Sequence, residues 1–215
     1  MREIFLLNLI YNIAGNNYEG SSDLFCIFHE PLIKQCNDRP QIFEILNETK
    51  QFEIACDIFY DKESEEEHKI NSLRFIEDWC INDCLHDLAM QNLNDNIFLS
   101  LINYIDNSCN DIKSSLLGIF TYILDCHEFI YAETIVDRGI LNVIDNFIGT
   151  NTIKALKCLD IIFKHYVECK SEKEIIKLIN NTEIIDNLNS AVENTTNEEE
   201  VKPIIEFLQK ISRIQ

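Results

Sequence analysis

The chain is poor in residues that break helices. Five glycines and three prolines occur in 215 residues, too few for the tight turns of a many-stranded protein. Positive charge is scarce as well: 18 lysines and arginines stand against 37 aspartates and glutamates, a net charge of −19. Such a surface repels phosphate backbones, which argues against direct nucleic-acid binding. It suits basic partners, such as Lys/Arg-rich tails or a positive patch on another protein, and it also favours solubility. No stretch approaches the roughly 18 apolar residues that a membrane-spanning helix needs. The opening segment, Met1 to Leu7, has the apolar look of a signal peptide, but Asn8 and Asn12 interrupt it and no clean cleavage site follows. Nine cysteines, an odd number at irregular spacing, lack the pattern of a disulfide framework and read as reduced thiols. The expectation is a cytoplasmic protein, with the nucleus also open, and no membrane partner.

What the chain does have is a 46% hydrophobic share, arranged as long apolar segments between short polar gaps, the mark of helices. Three of these segments repeat. Ile97, Leu101 and Tyr104 correspond to Ile140, Ile144 and Phe147, and then to Ile184, Leu188 and Ala191. Within each set the residues fall on one helix stripe. A second apolar helix follows each: Leu116, Ile119, Tyr122 and Ile123; then Leu156, Leu159, Ile162, Phe163 and Tyr166; then Val201, Ile204, Phe207, Leu208 and Ile211. A shorter helix precedes each, over 85–91, 128–137 and 172–179. Gly139 suits a helix end that needs positive φ. Ser171 with Glu174 predicts a capping box. Thr196 or Asn197 predicts a cap for the last helix, with Glu198, Glu199 and Glu200 at its positive end. Pro203 suggests that this helix starts later, near residue 202.

Three helices in about 43 residues is the period of armadillo and HEAT arrays. The stretch Ile135-Val136-Asp137-Arg138-Gly139-Ile140-Leu141-Asn142-Val143-Ile144 resembles the armadillo signature, of the type found in the karyopherin-alpha and beta-catenin families. That resemblance implies an all-α, right-handed superhelix of four to five degenerate three-helix repeats. The run Leu6 to Gly15 is similar to the third helix of such a repeat, with Asn12 at the family's groove-lining asparagine position. On this reading residues 1–215 form one armadillo-like domain. Degenerate repeats occupy 1–60, with helices expected at 22–36, 41–46 and 51–59. An irregular charged insertion occupies 61–83, although 69–79 is helical in pattern. Clearer repeats occupy 84–126, 127–170 and 171–215.

In the karyopherin-alpha family the third helices line a concave groove with Trp and Asn residues four apart. The matching pairs here are Asn8/Asn12, Glu53/Asp57, Leu117/Thr121, Lys157/Ile161 and Glu206/Lys210. Only Asn12 keeps the family residue, and Trp79, the single tryptophan, lies outside the aligned positions. The tryptophan ladder is therefore missing. What remains is an acidic groove, with Glu53 and Asp57 on one helix face suited to a Lys or Arg. The candidate binding residues are Asn8, Asn12, Glu53, Asp57, Thr121, Lys157 and Glu206.

Cys80, Cys84 and His86 cluster, as do His165 and Cys169 with Cys158, but neither group carries the compact paired spacing of a zinc site. Packing is the simpler reading of both. His127-Glu128 lacks the second histidine of a zinc protease, since position 131 is Tyr131. No phosphate-binding glycine loop and no Gly-x-Ser-x-Gly occur. The sequence thus predicts no cofactor, no catalysis and a protein-binding adaptor that accepts a basic or extended segment. Two other readings stay open. One is a chaperone cofactor of the Hsp70 nucleotide-exchange type. The other is a structural subunit, with homo- or hetero-oligomer contacts through the apolar helix of Phe5, Leu6, Leu7, Ile10 and Ile13.

Overall fold

The structure is a computed structural model that describes residues 50–81, 101–105, 108–126 and 129–214, with the single positions Leu46, Glu48 and Phe98. The helices expected at 5–14, 22–36 and 85–91 lie outside the described residues. All regular structure among the described residues is helical. The elements are α1 (Gln51–Tyr60), α2 (Glu66–Ile81), α3 (Asn110–Cys126), α4 (Phe129–Asp137), α5 (Ile140–Phe147), α6 (Thr152–Cys169), α7 (Glu172–Asn180), α8 (Ile184–Asn194) and α9 (Glu198–Ser212). The chain gathers into two compact units, residues 1–101 with 109–119 and residues 102–108 with 120–215.

In the first unit α1 packs on α2. Phe52, Ala55, Cys56, Ile58 and Phe59 are buried on α1, and Leu73, Phe75, Ile76, Trp79 and Cys80 on α2. Trp79 is the hub: its ring lies 5.5 Å from Phe52 edge-on and 5.3 Å from Phe75, the offset geometries that aromatic quadrupoles favour. The connection is a short turn in which Glu63 N–H donates to the Asp61 carboxylate at 3.0 Å. Glu66 and Glu67 then occupy the first turn of α2, where the helix dipole favours acids. Residues 66–81, which the sequence reading set aside as part of an irregular insertion, are thus a core helix of this unit. Its apolar stripe is diluted by Asn71, Ser72 and Glu77, all buried, and hydrophobic periodicity does not count such residues. Gly118 of α3 makes room for Glu77, since a Cβ at Gly118 would lie 2.1 Å from Glu77 Oε1 and 2.8 Å from its Cγ.

The second unit holds two complete three-helix repeats. In the first, α4 packs on α5 and α6, and α5 on α6; in the second, α7 packs on α8, and α8 on α9. The repeats stack like on like, α5 against α8 and α6 against α9, with α6 also touching α7. The register read from the sequence holds here: Ile140 and Ile184 are fully buried, as are Ile144 and Leu188. Phe147 is buried and Ala191 half-buried. At the α6–α9 junction Phe163 meets Phe207 edge-on, with centroids 5.7 Å apart. At the α5–α8 junction Asp145 accepts from the Glu183 N–H at 3.1 Å and from Asn187 Nδ2 at 2.8 Å. That carboxylate satisfies a backbone donor at the N-terminus of α8, where no side-chain cap is present.

The punctuation largely follows the sequence. Gly139 has φ 88° between α4 and α5. The Ser171 hydroxyl caps α7 by accepting from Lys173 N–H at 3.2 Å, but Glu174 turns its carboxylate to Lys170 at 3.5 Å instead of closing a capping box. Asn197 caps α9 by accepting from Glu199 N–H at 3.1 Å. The helix therefore starts at Glu198, not near 202, and carries Pro203 inside it. The cap and the three glutamates stabilise a first turn that outweighs the one backbone hydrogen bond Pro203 cannot donate.

Candidate functional site

The third helices of successive repeats are α3, α6 and α9, and their surface positions can be followed one by one. Asn8 and Asn12 lie outside the described residues. Glu53 and Asp57 are both exposed on α1, in the first unit. Burial and the negative charges of Asp57 and Glu53 push the Cys56 thiol between them up to about 12. Leu117 is fully buried, a core residue that does not line a groove.

In the second unit the aligned positions come together. Thr121 of α3, Lys157 and Ile161 of α6, and Glu206 and Lys210 of α9 line one depression of about 490 Å³. Ile153, Leu156, Asp160, Pro203 and Phe207 complete its wall. Three stripes at helical spacing on consecutive helices converge because like helices stack on like. The sequence alignment pointed to Thr121, Lys157 and Glu206. It missed Asp160, although Asp160 sits one turn after Lys157 and so shares its face.

The walls are apolar and the charges oppose one another. Lys210 Nζ donates to Asp160 Oδ1 at 2.6 Å and lies 5.0 Å from the centre of the Phe163 ring, a cation–π placement. Lys202 reaches Glu206 only at 4.0 Å, with the two side chains 79% and 64% exposed, a contact of little strength. Cys158 lies behind Thr121, fully buried, and burial pushes its thiol up to about 12 against an opposing hydrogen bond from Thr121. It offers no thiolate for nucleophilic chemistry at neutral pH. The neighbouring His165 donates from Nε2 to the Leu124 carbonyl at 2.6 Å, while Cys169 is exposed. Of the other thiol group, Cys80 is buried in the first unit, and Cys84 and His86 lie outside the described residues. Among the described residues no three His, Cys, Asp or Glu side chains are placed to hold a metal ion, and no helix is long and apolar enough to cross a membrane.

No protein-family model matches the chain, and no curated protein sequence does. Solved structures do. The armadillo-repeats-only protein of Plasmodium falciparum superposes with a TM-score of 0.60 over 90% of this chain and 79% of its own, at 10% identity. A designed armadillo repeat protein in complex with the peptide (KR)4 superposes with a TM-score of 0.54 over 95% of this chain and 91% of its own, at 13% identity. A second designed armadillo repeat protein gives 0.55 over 95% and 91%, at 14% identity. At these identities the likeness is one of fold.

Proposed function

Starting from an all-α, armadillo-like repeat fold, we propose that this protein is a non-catalytic scaffold that binds a segment of a partner protein on its third-helix face. One observation carries the reading: Thr121, Lys157, Ile161, Glu206 and Lys210, aligned in the sequence as groove positions, share one open depression with apolar walls. A recognition site needs such concavity with a few polar groups that fix orientation. The net charge of −19 draws partners with basic character to the chain as a whole, and Glu53 with Asp57 offers one exposed acidic pair for them. Cys56, Cys109, Cys158 and Cys169 are free thiols, which fits work in the reducing cytoplasm or nucleus.

The test is affinity purification with partner identification, comparing the natural chain with Ile161→Arg, which fills the depression with a charged side chain. Partners retained by the natural chain and lost from the variant support the reading. An unchanged partner set rejects the third-helix face as the binding surface.

A second reading, a subunit of a larger assembly, has its own observation. The outer face of the last repeat carries Ile205, 38% exposed, beside the half-buried Ile185, Val192 and Leu208, along a depression of about 510 Å³. Leu141 and Phe163, at the corresponding places one repeat earlier, are buried beneath the next repeat. Exposed apolar surface of this kind, where a capping repeat would be polar, favours contact with a partner.

A further inference from the structure

We infer that the third-helix depression of the second unit selects a segment of mixed charge, with a bulky apolar residue between an acidic and a basic one, over a run of lysines and arginines. The inference rests on the reading of that face as a protein-binding groove and specifies what the groove accepts.

Charge is the first argument. The depression is lined by two cations, Lys157 and Lys210, and two anions, Asp160 and Glu206, so it has no net charge although the chain is strongly acidic. Asp160 and Lys210 are already joined at 2.6 Å across the α6–α9 junction, and a ligand that took either would have to break that hydrogen bond. Lys157 and Glu206 are left as the groups open to a ligand. Lys157 is exposed and forms no ion pair among the described residues, and the contact of Glu206 with Lys202 is long and solvated.

Position is the second argument. Lys157 and Glu206 stand on consecutive third helices and line the same depression. A segment crossing from α6 to α9 meets a cation and then an anion. Packed helices lie about 8–10 Å apart, and an extended chain advances about 3.3 Å per residue. Allowing for a further turn of about 5.4 Å along the helix, an acidic and a basic residue two to four places apart span the two. Between them the wall is apolar, with Ile153, Leu156, Ile161, Pro203 and Phe207, and it takes a bulky apolar side chain. A polybasic segment can place one cation on Glu206, but it sets another against Lys157 and a third on the apolar wall between them, at a desolvation cost.

The experiment measures fluorescence anisotropy of labelled peptides of about twelve residues on the full chain. The probes are repeats of Glu-Leu-Lys, Lys-Leu-Lys and Glu-Leu-Glu. Sodium chloride at about 0.5 M shortens the screening length to roughly 4 Å, which suppresses the general attraction of the acidic chain for cations. Glu-Leu-Lys repeats are expected to bind about tenfold more tightly than either of the others. Lys157→Glu is expected to move the preference to Lys-Leu-Lys, Glu206→Lys to move it to Glu-Leu-Glu, and the double exchange to restore Glu-Leu-Lys. Both residues are exposed, and circular dichroism confirms that the variants fold. Ile161→Arg removes binding if the depression is the site. Lys-Leu-Lys repeats bound best at this salt, lost on Ile161→Arg but indifferent to Lys157→Glu, would overturn the mixed-charge inference and leave the groove standing. Binding of Glu-Leu-Lys that Ile161→Arg does not touch overturns the inference by placing the site elsewhere. No binding of any probe removes the extended-segment groove and the inference together.

Discussion

The two units have cores of different chemistry. Among the described residues every buried polar or charged side chain, Gln51, Asn71, Ser72, Glu77 and Ser115, belongs to the first unit. The described buried residues of the second unit, from Ile102 to Ile211, are hydrophobic. Charge divides in the same way: the first unit carries 20 acidic and 8 basic side chains, the second 17 and 10. A repeat whose core is wholly apolar keeps a stripe at helical spacing. A unit that seats a carboxylate inside its packing loses that stripe and depends on special positions such as Gly118. The difference also separates two exposed faces. The α1 face offers two carboxylates, whereas the third-helix face of the second unit offers opposed charges on an apolar bed.

Substitutions can break this contrast. The largest effect is expected at Phe163, which joins α6 to α9. Phe163→Ala removes a buried ring from the α6–α9 junction and should cost about 3–5 kcal/mol in urea denaturation. A loss below about 1 kcal/mol would mean that the repeats do not depend on that contact. Next is Gly118→Ala. The added methyl overlaps the Glu77 side chain down to its Cγ, so a terminal rotation does not relieve it, and about 1–3 kcal/mol should be lost. Combining it with Glu77→Ala tests the cause, since the pair should cost less than the sum of the two single changes. Full additivity would show that Glu77 is not what Gly118 accommodates.

The thiols give a comparison by pH. Cys56 in the first unit and Cys158 in the second are both raised from 9.0 to about 12 by burial. In the unfolded chain they ionise near the ordinary value, so between about pH 9 and 12 the folded state holds more protons and loses stability as pH rises. Denaturation at pH 8 and pH 10.5 should show the fall, and conversion of both residues to alanine should reduce it, leaving the part due to Tyr166, which burial also raises to about 12. At pH 7.5 peptide mapping after maleimide treatment should find Cys169, which is exposed, labelled well before either. The smallest effect is expected at Lys210→Met, which removes the half-exposed pair with Asp160 and the ring contact with Phe163. The change in stability should stay within about 1 kcal/mol, while the depression gains a net negative charge and its peptide preference moves toward Lys-Leu-Lys.

How far the fold was legible follows from these cores. The register of Ile140 with Ile184 and of Ile144 with Leu188 could be read directly, because each residue is apolar and fully buried. The helix at 66–81 was legible only in part, because Asn71, Ser72 and Glu77 occupy its buried side. The start of α9 was misread because a proline inside the sequence of a helix weighs against it, while the Asn197 cap acts locally and holds the first turn regardless. Of the candidate groove positions, Thr121, Lys157 and Glu206 line one depression in the structure. Glu53 and Asp57 share an exposed face as their spacing required, but in the other unit. Leu117 was aligned to the groove and is core, because it falls on the buried stripe of α3 with Phe120 and Leu124. Cancellation of charge in the depression had no sequence signal, since a net charge describes a chain and not one of its faces.

By itself the sequence determined the helices of the second unit and their three-in-a-repeat order, because apolar residues at helical spacing must be buried and periodic copies bury one another. Tertiary structure alone decided which charges meet. Asp160 finds Lys210 fifty residues on, and Glu133 finds Lys170 thirty-seven residues on, while Glu77 comes to rest against Gly118. Such meetings are set by how one repeat sits on the next. Spacing along the chain specifies the face of a helix, and stacking specifies what that face opposes.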